Sequence, residues 1–211
     1  MVDRISSEYE EGISLGDLGY SNLISGSFVS KGSAFSAVYS SVEWLQNSIT
    51  QFLSSKDSDL LETPDIQFLY WLNDGLFALS SFCYRKGNTE EKYNLMFPHE
   101  ALTFMLARIK HFKAREGEVS GEFIRLGGSI NKIRIQTRDV ERHFVAWRDE
   151  PEIIKESRTC DNVHDNILRQ QKFLNRASSY FYWLARYQSI KDGGTHTEWI
   201  TRVPDFEISL H

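Results

Sequence analysis

The sequence predicts an all-α fold, a helical bundle of about four to five main helices with a short extended or hairpin C-terminal tail. Three observations predict it. Apolar residues recur at alternating steps of three and four through several long segments, which is the pattern of amphipathic helices. Proline, glycine and short charged runs separate those segments, leaving short connections between mostly antiparallel neighbours. A content of 41% hydrophobic and 13% aromatic residues suits an ordinary packed core.

The elements follow in chain order. Residues 1–32 are rich in Ser and Gly, with scattered apolar residues such as Leu15, Leu18, Leu23 and Phe28, and read as a coil docked on the body. A first helix is expected over about 33–54, where Phe35, Val38, Val42, Leu45, Ile49 and Phe52 share one stripe. A second starts at Thr63-Pro64-Asp65, since proline suits a first helical turn, and stops at Lys86-Gly87-Asn88. Its stripe is Ile66, Leu69, Leu72, Leu76, Leu79 and Cys83. Phe68, Trp71, Phe77 and Phe82 widen that stripe, so the helix reads as central and largely buried. A third runs from Pro98 to about Arg115 with Leu102, Met105, Leu106, Ile109 and Phe112 inward. Lys110, His111, Lys113 and Arg115 at its end complement the helix dipole. A short helix is expected around Glu118 to Leu126.

The fourth main helix, Ser129 to Arg148, carries Ile130, Ile133, Thr137, Val140, Phe144 and Trp147 on one stripe and ends before Pro151. A last long helix covers about Asp161 to Ile190, with Val163, Ile167, Leu174, Ala177, Phe181 and Leu184 inward and Gly193-Gly194 as its stop. In the remainder Phe206, Ile208 and Leu210 alternate with polar residues at the period of a strand. No internal repeat is present. The expected organisation is an N-terminal segment over 1–32, a helical domain over 33–194 and an extended tail over 195–211.

With 211 residues the chain is long enough for one sizeable domain or two small ones. A net charge of −5 excludes a globally basic nucleic-acid binder but allows a local basic patch. The two cysteines, Cys83 and Cys160, are expected as free thiols in a reducing cytosol. The polar start MVDRISSEYEEG lacks the apolar core of a secretory signal, and the run Phe68 to Leu72 is too short to span a bilayer. A cytoplasmic protein is therefore expected.

Most catalytic signatures are missing. There is no GxxxxGK[ST] or GxGxxG phosphate loop, no HExxH and no GxSxG. Asp161-x-x-His164 is a single half of the paired motif a carboxylate di-metal bundle requires. His99, His111, His164, His196 and His211 have no partner at ligand spacing, and two distant cysteines make no zinc site. No metal and no cofactor are expected.

What is left is Arg138-Asp139-Val140-Glu141-Arg142-His143. This string resembles the motif of the HEPN superfamily, an Arg followed after four to six residues by a His, with a polar residue directly after the Arg. The resemblance implies an all-α, metal-independent endoribonuclease, commonly a toxin or phage-defence effector, acting as a homodimer on RNA with an antitoxin or other protein partner. Asp139 and His143 are four apart and share a helix face, so Asp139 could orient the imidazole. His143 would then move a proton at an RNA 2′-hydroxyl, and Arg138 would stabilise the attacked phosphate. Arg138 and His143 lie about 140° apart around the helix, so a long Arg reach or a second copy is needed to bring two such groups together. Lys132, Arg134, Arg142 and Arg148 add cations along the helix and are the expected RNA contacts. The alternative is a non-catalytic all-α module that binds a partner through this helix or through its aromatic surfaces.

Overall fold

The computed structural model describes residues 16–22, 28–87, 95–116, 124–125, 128–191 and 197–198. The first stripe winds as expected into helix α1 (Ala34–Leu53), where Val38, Val42, Leu45, Ile49 and Phe52 are all buried. Ser33 caps it, its Oγ accepting from the Ser36 amide at 3.1 Å. A 3₁₀ turn over Lys56–Leu60 leads to α2 (Thr63–Tyr84). The remaining helices are α3 (His99–Glu116), α4 (Gly128–Arg148), α5 (Pro151–Thr159) and α6 (Asp161–Lys191).

Hydrogen bonds between distant side chains fix how the helices run. Gln46 on α1 donates to the Asn73 carbonyl on α2 at 2.8 Å, and Asn73 donates back to Thr50 at 3.1 Å; the short connection over 54–62 makes this packed pair antiparallel. Ser129, at the start of α4, bonds Asp57 at 3.1 Å, and Gln188, near the end of α6, bonds the Asp57 carbonyl at 3.0 Å. Arg169 and Gln170, lower on α6, reach the carbonyls of Phe97 and Leu95 before α3. The five long helices thus alternate in direction, with α4 packed between α1 and α6. Phe82 of α2 meets Phe144 and Trp147 of α4 in the centre.

Several local expectations change. Trp71 and Phe77 are 38% and 51% exposed, and Leu106 is 48% exposed, so α2 and α3 are buried on narrower faces than a count of apolar residues implies. Pro151, read as a stop, also opens the new helix α5, because proline at a first helical position loses no hydrogen bond. Residues 124–125 are not helical. They form strand β3 (Ile124–Arg125), paired antiparallel with β4 (Thr197–Glu198). The other residues of the expected 118–126 helix, apart from these two, lie outside the described residues, as do Phe206, Ile208 and Leu210. In the N-terminal segment, β1 (Tyr20–Asn22) and β2 (Phe28–Ser30) form a hairpin with Tyr20 opposite Ser30. The turn before it, Gly16 to Gly19, closes with Gly19 at a φ of 77°, a conformation glycine adopts without strain.

The stop at Lys86-Gly87 holds. Gly87 has a φ of 79° and its amide reaches back to the Phe82 carbonyl at 3.0 Å. A β-carbon there would come within 3.1 Å of Val163, so a larger residue would strain both the left-handed backbone and the contact of α2 with α6. Cys83 and Cys160 are both free thiols, as expected, and burial pushes the Cys83 thiol well above its usual range.

One buried polar network crosses the bundle. Asp65, in the first turn of α2, is fully buried. Arg108 of α3 grips it with two hydrogen bonds of 2.9 and 2.6 Å, and Tyr180 of α6 donates to it at 2.9 Å. The same guanidinium donates to Glu62 at 2.9 Å, and Tyr187 of α6 donates to Glu62 at 2.6 Å. His111 and Arg115 of α3 also face Glu62, at 3.4 and 3.5 Å. The basic end of α3 is therefore ion-paired as well as placed at a favourable helix pole.

Removing one partner of such a pair leaves a buried charge, which costs about 3–5 kcal/mol. Arg108→Ala is expected to lower unfolding stability by that amount in urea titrations, with Arg108→Lys recovering only part of it because an ammonium cannot form the two-pronged contact. Glu62 is held down to about 2 by the Tyr187 hydrogen bond first and by Arg108 and His111 after it, against the opposing effect of burial. Its folded value lies below its ordinary 4.5, so its contribution is complete above pH 4.5 and is lost as pH falls towards 2. The urea midpoint should decline through that window, and less steeply in Glu62→Gln.

Candidate functional site

Helix α4 has two chemically distinct faces because its sequence has two interleaved periods. Ile130, Ile133, Thr137, Val140, Phe144 and Trp147 are buried, and Thr137 turns its hydroxyl back to the Ile133 carbonyl at 2.8 Å. On the outer side Arg134, Arg138 and Arg142 follow one another at steps of four and so rise one above the other. They line an open groove of about 850 Å³, together with Asp139, Glu141, Ile135, Gln136 and Val145 of the same helix and Trp44 of α1. That volume is in the range of small-molecule sites, about 300–1,000 Å³.

The charges in the groove differ in their constraints. Arg134 donates to the Asn131 side chain at 2.8 Å and lies 6.0 Å above the Tyr182 ring of α6. Burial, and then the neighbouring Arg138, pull its pKa down, although a guanidinium stays charged at neutral pH. Arg142 is ion-paired with Asp139. Arg138 is exposed and makes no hydrogen bond or ion pair with a described carboxylate. Glu141 is raised by burial, with Arg138 acting against that rise. Trp44 and Ile135 are 65% and 54% exposed and supply apolar surface. A cationic strip beside an aromatic ring suits a polyanion that carries a flat group.

The residues singled out from the sequence separate into two sets. Arg134, Arg138, Asp139 and Arg142 come together in the groove. Lys132 is exposed but outside it, and Arg148 is committed to Asp149 at 2.8 Å and to Gln171 of α6 at 2.6 Å, which ties two helices together. His143 does not line the groove. Its Nδ1 is buried without a hydrogen bond and stands 3.7 Å from Asp139, too far for the orienting contact expected of that pair. Asp139 holds Arg142 instead. Among the described residues no group of three His, Cys, Asp or Glu side chains could hold a metal ion. No helix among the described residues is long and apolar enough to cross a membrane.

These features define a helical-bundle protein with a cationic groove along the exposed face of α4. The sequence model of the cobalamin adenosyltransferase family matches residues 13–188, and the chain belongs to that family. No curated protein matches it by sequence. Solved structures share the fold. A phenylalanine-to-alanine variant of a PduO-type ATP:corrinoid adenosyltransferase from Lactobacillus reuteri, complexed with cobalamin and ATP, is 19% identical with a TM-score of 0.65, covering 87% of this chain and 96% of that one. An arginine-to-lysine variant of a PduO-type ATP:co(I)rrinoid adenosyltransferase from the same organism, complexed with ATP, is 22% identical with a TM-score of 0.61, covering 89% and 97%.

The family match overturns the HEPN resemblance, and with it the ribonuclease, RNA-binding, toxin–antitoxin and defence readings. A six-residue string on a helix is weak beside a match that runs along most of the chain. The match also takes in the Gly16–Gly19 turn and the β1–β2 hairpin, which the sequence suggested only as coil. Trp44 also lines the groove, and the motif on α4 does not point to it. The signal was present, because position 44 falls off the Val38, Val42, Leu45, Ile49 stripe and must point away from the core.

The separation of the two sets is testable with inorganic triphosphate as an anion probe. Losing a charged hydrogen bond costs about 1.5–3 kcal/mol, so Arg138→Ala should weaken triphosphate binding by about 10- to 100-fold in calorimetry. His143→Ala should leave it unchanged. The opposite ranking would move the anion site off the groove.

Proposed function

We propose that this chain is an ATP:corrinoid adenosyltransferase, and that the α4 groove holds ATP. The observation that carries this reading is the stack of Arg134, Arg138 and Arg142, one helical turn apart in a groove of small-molecule size. Transfer of an adenosyl group from ATP breaks the bond between C5′ and its oxygen. A cobalt–carbon bond forms, and the three phosphates leave together as triphosphate. Negative charge therefore builds on the leaving group as the bond breaks, and fixed cations beside it lower the barrier. Arg138 takes the phosphate charge directly, since no carboxylate already holds it. Arg134, fixed by Asn131, positions a second contact. Arg142 exchanges Asp139 for phosphate. Glu141 accepts from ribose hydroxyls. The corrinoid is the second substrate, and its reduced cobalt, the co(I)rrinoid of one relative's name, is the electron-pair donor that attacks C5′.

Association with further copies of the chain belongs to the same reading. Tyr70 and Phe77, 55% and 51% exposed on the outer face of α2, are apolar surface of the kind copies bury against each other. A single-chain mass in solution would remove that part.

The test is adenosylation of chemically reduced cobalamin in the presence of ATP, followed by the absorption change from Co(I) to alkyl-cobalamin. The full chain is expected to turn over, and Arg138→Ala to lose about 10²- to 10³-fold in kcat, the usual effect of removing a donor that stabilises developing charge. ATP binding without transfer would return the chain to a non-catalytic binding module. The absence of both ATP binding and transfer would overturn the proposal.

A further inference from the structure

Trp44 is the feature of the groove that phosphate chemistry does not use. Single exposed apolar residues are common and need no explanation. Trp44 differs in its setting. It projects from the outer side of α1, stays 65% exposed, and borders the same groove as Arg134, Arg138 and Arg142. Ile135, 54% exposed, adds a second apolar side chain to that lining. From Arg134 to Val145 the groove follows about 16 Å of helix, comparable to an extended nucleoside triphosphate. One molecule that matches both a cationic strip and a flat indole is a purine nucleotide with its phosphates. A base stacks on an aromatic face through dispersion and desolvation, and needs no hydrogen bond to do so.

We infer that Trp44 is the stacking platform for the adenine base of ATP. The inference rests on the proposed use of the groove, and it adds a residue that sets base affinity separately from phosphate affinity. Trp44 touches no reacting atom, so its contribution is to the binding of ATP and to the preference for a purine over the bare phosphate chain. The competing occupant of the indole face is the corrinoid macrocycle, which is also flat.

Steady-state adenosylation with the full chain separates these outcomes. For Trp44→Ala the KM for ATP is expected to rise about tenfold, within the range that loss of one base–aromatic stack gives. Trp44→Phe should recover most of that loss. The inhibition constant of inorganic triphosphate and the KM for cobalamin should stay within about twofold of wild type, since triphosphate has no base to stack and cobalamin takes a place away from the indole. An unchanged KM for ATP overturns the inference. So does an equal rise in the triphosphate constant, which marks a disturbed groove, or a rise confined to cobalamin, which puts the macrocycle on the indole. These results count against Trp44 alone when wild type is active. A wild type that neither binds ATP nor transfers adenosyl removes the reading of the groove, and Trp44's role with it.

Discussion

The bundle is organised around a carboxylate that has no access to water. Asp65 is fully buried, and a lone carboxylate in that position would carry several kcal/mol of desolvation cost. Arg108 offsets it only when α3 stands opposite the first turn of α2, and Tyr180 completes it only when α6 presents its C-terminal half at the same level. Apolar stripes alone allow helices to slide by a turn, because one leucine resembles the next. A two-pronged Arg–carboxylate contact does not allow that slide. Glu62 extends the constraint one turn outward, through Tyr187, His111 and Arg115. The network therefore fixes the register of α2, α3 and α6, and α6 in turn is one of the two helices between which α4 packs.

α4 then has little freedom. Its buried stripe must fill the channel between α1 and α6, with Phe144 and Trp147 against Phe82. Once that stripe is inward, the positions at 134, 138 and 142 can only be outward, and arginines there cannot avoid forming a strip. Arg148 at its end is anchored to α6 through Gln171, and Ser129 at its start to Asp57. A groove on a helix held at both ends and along one face is a rigid one, which favours a site whose purpose is to orient a ligand.

How much of this could be read in the sequence follows from the range of each interaction. The helices were legible, because their signal is local and repeats: Val38 to Phe52 on α1 and Val163 to Leu184 on α6 are buried as their spacing implies. The Asp65 network was not, since its partners lie 43 and 115 residues away and no local pattern announces them. The same is true of β3 and β4, where Ile124 pairs with Glu198. Trp71 and Phe77 misled because an aromatic residue in a helix says how apolar a position is, and not whether a neighbour exists to cover it. At the site, the arginines of α4 were recognisable as a charged face. The error came from grouping Arg138 with His143. Position 139 can serve Arg142 at three residues' distance or His143 at four, and the ion pair with the more exposed and always charged guanidinium prevailed.

A net charge of −5 might be thought to oppose a polyanion site. The relevant field is local, because at physiological salt exposed charges more than about 8 Å away are largely screened. Along its length the groove has three guanidinium groups against the carboxylates of Asp139 and Glu141. Burial raises the pKa of Glu141, and Arg138 acts against that rise without forming an ion pair with it. The Asp139–Arg142 pair lies on a helix surface with side chains 42% and 72% exposed, and pairs of that kind contribute about 0.3–0.5 kcal/mol. Opening it to a phosphate therefore costs little, while the gain is a charged, potentially two-pronged contact with a group carrying more charge than one carboxylate. Asp139 is best understood as a placeholder that keeps Arg142 extended along the groove.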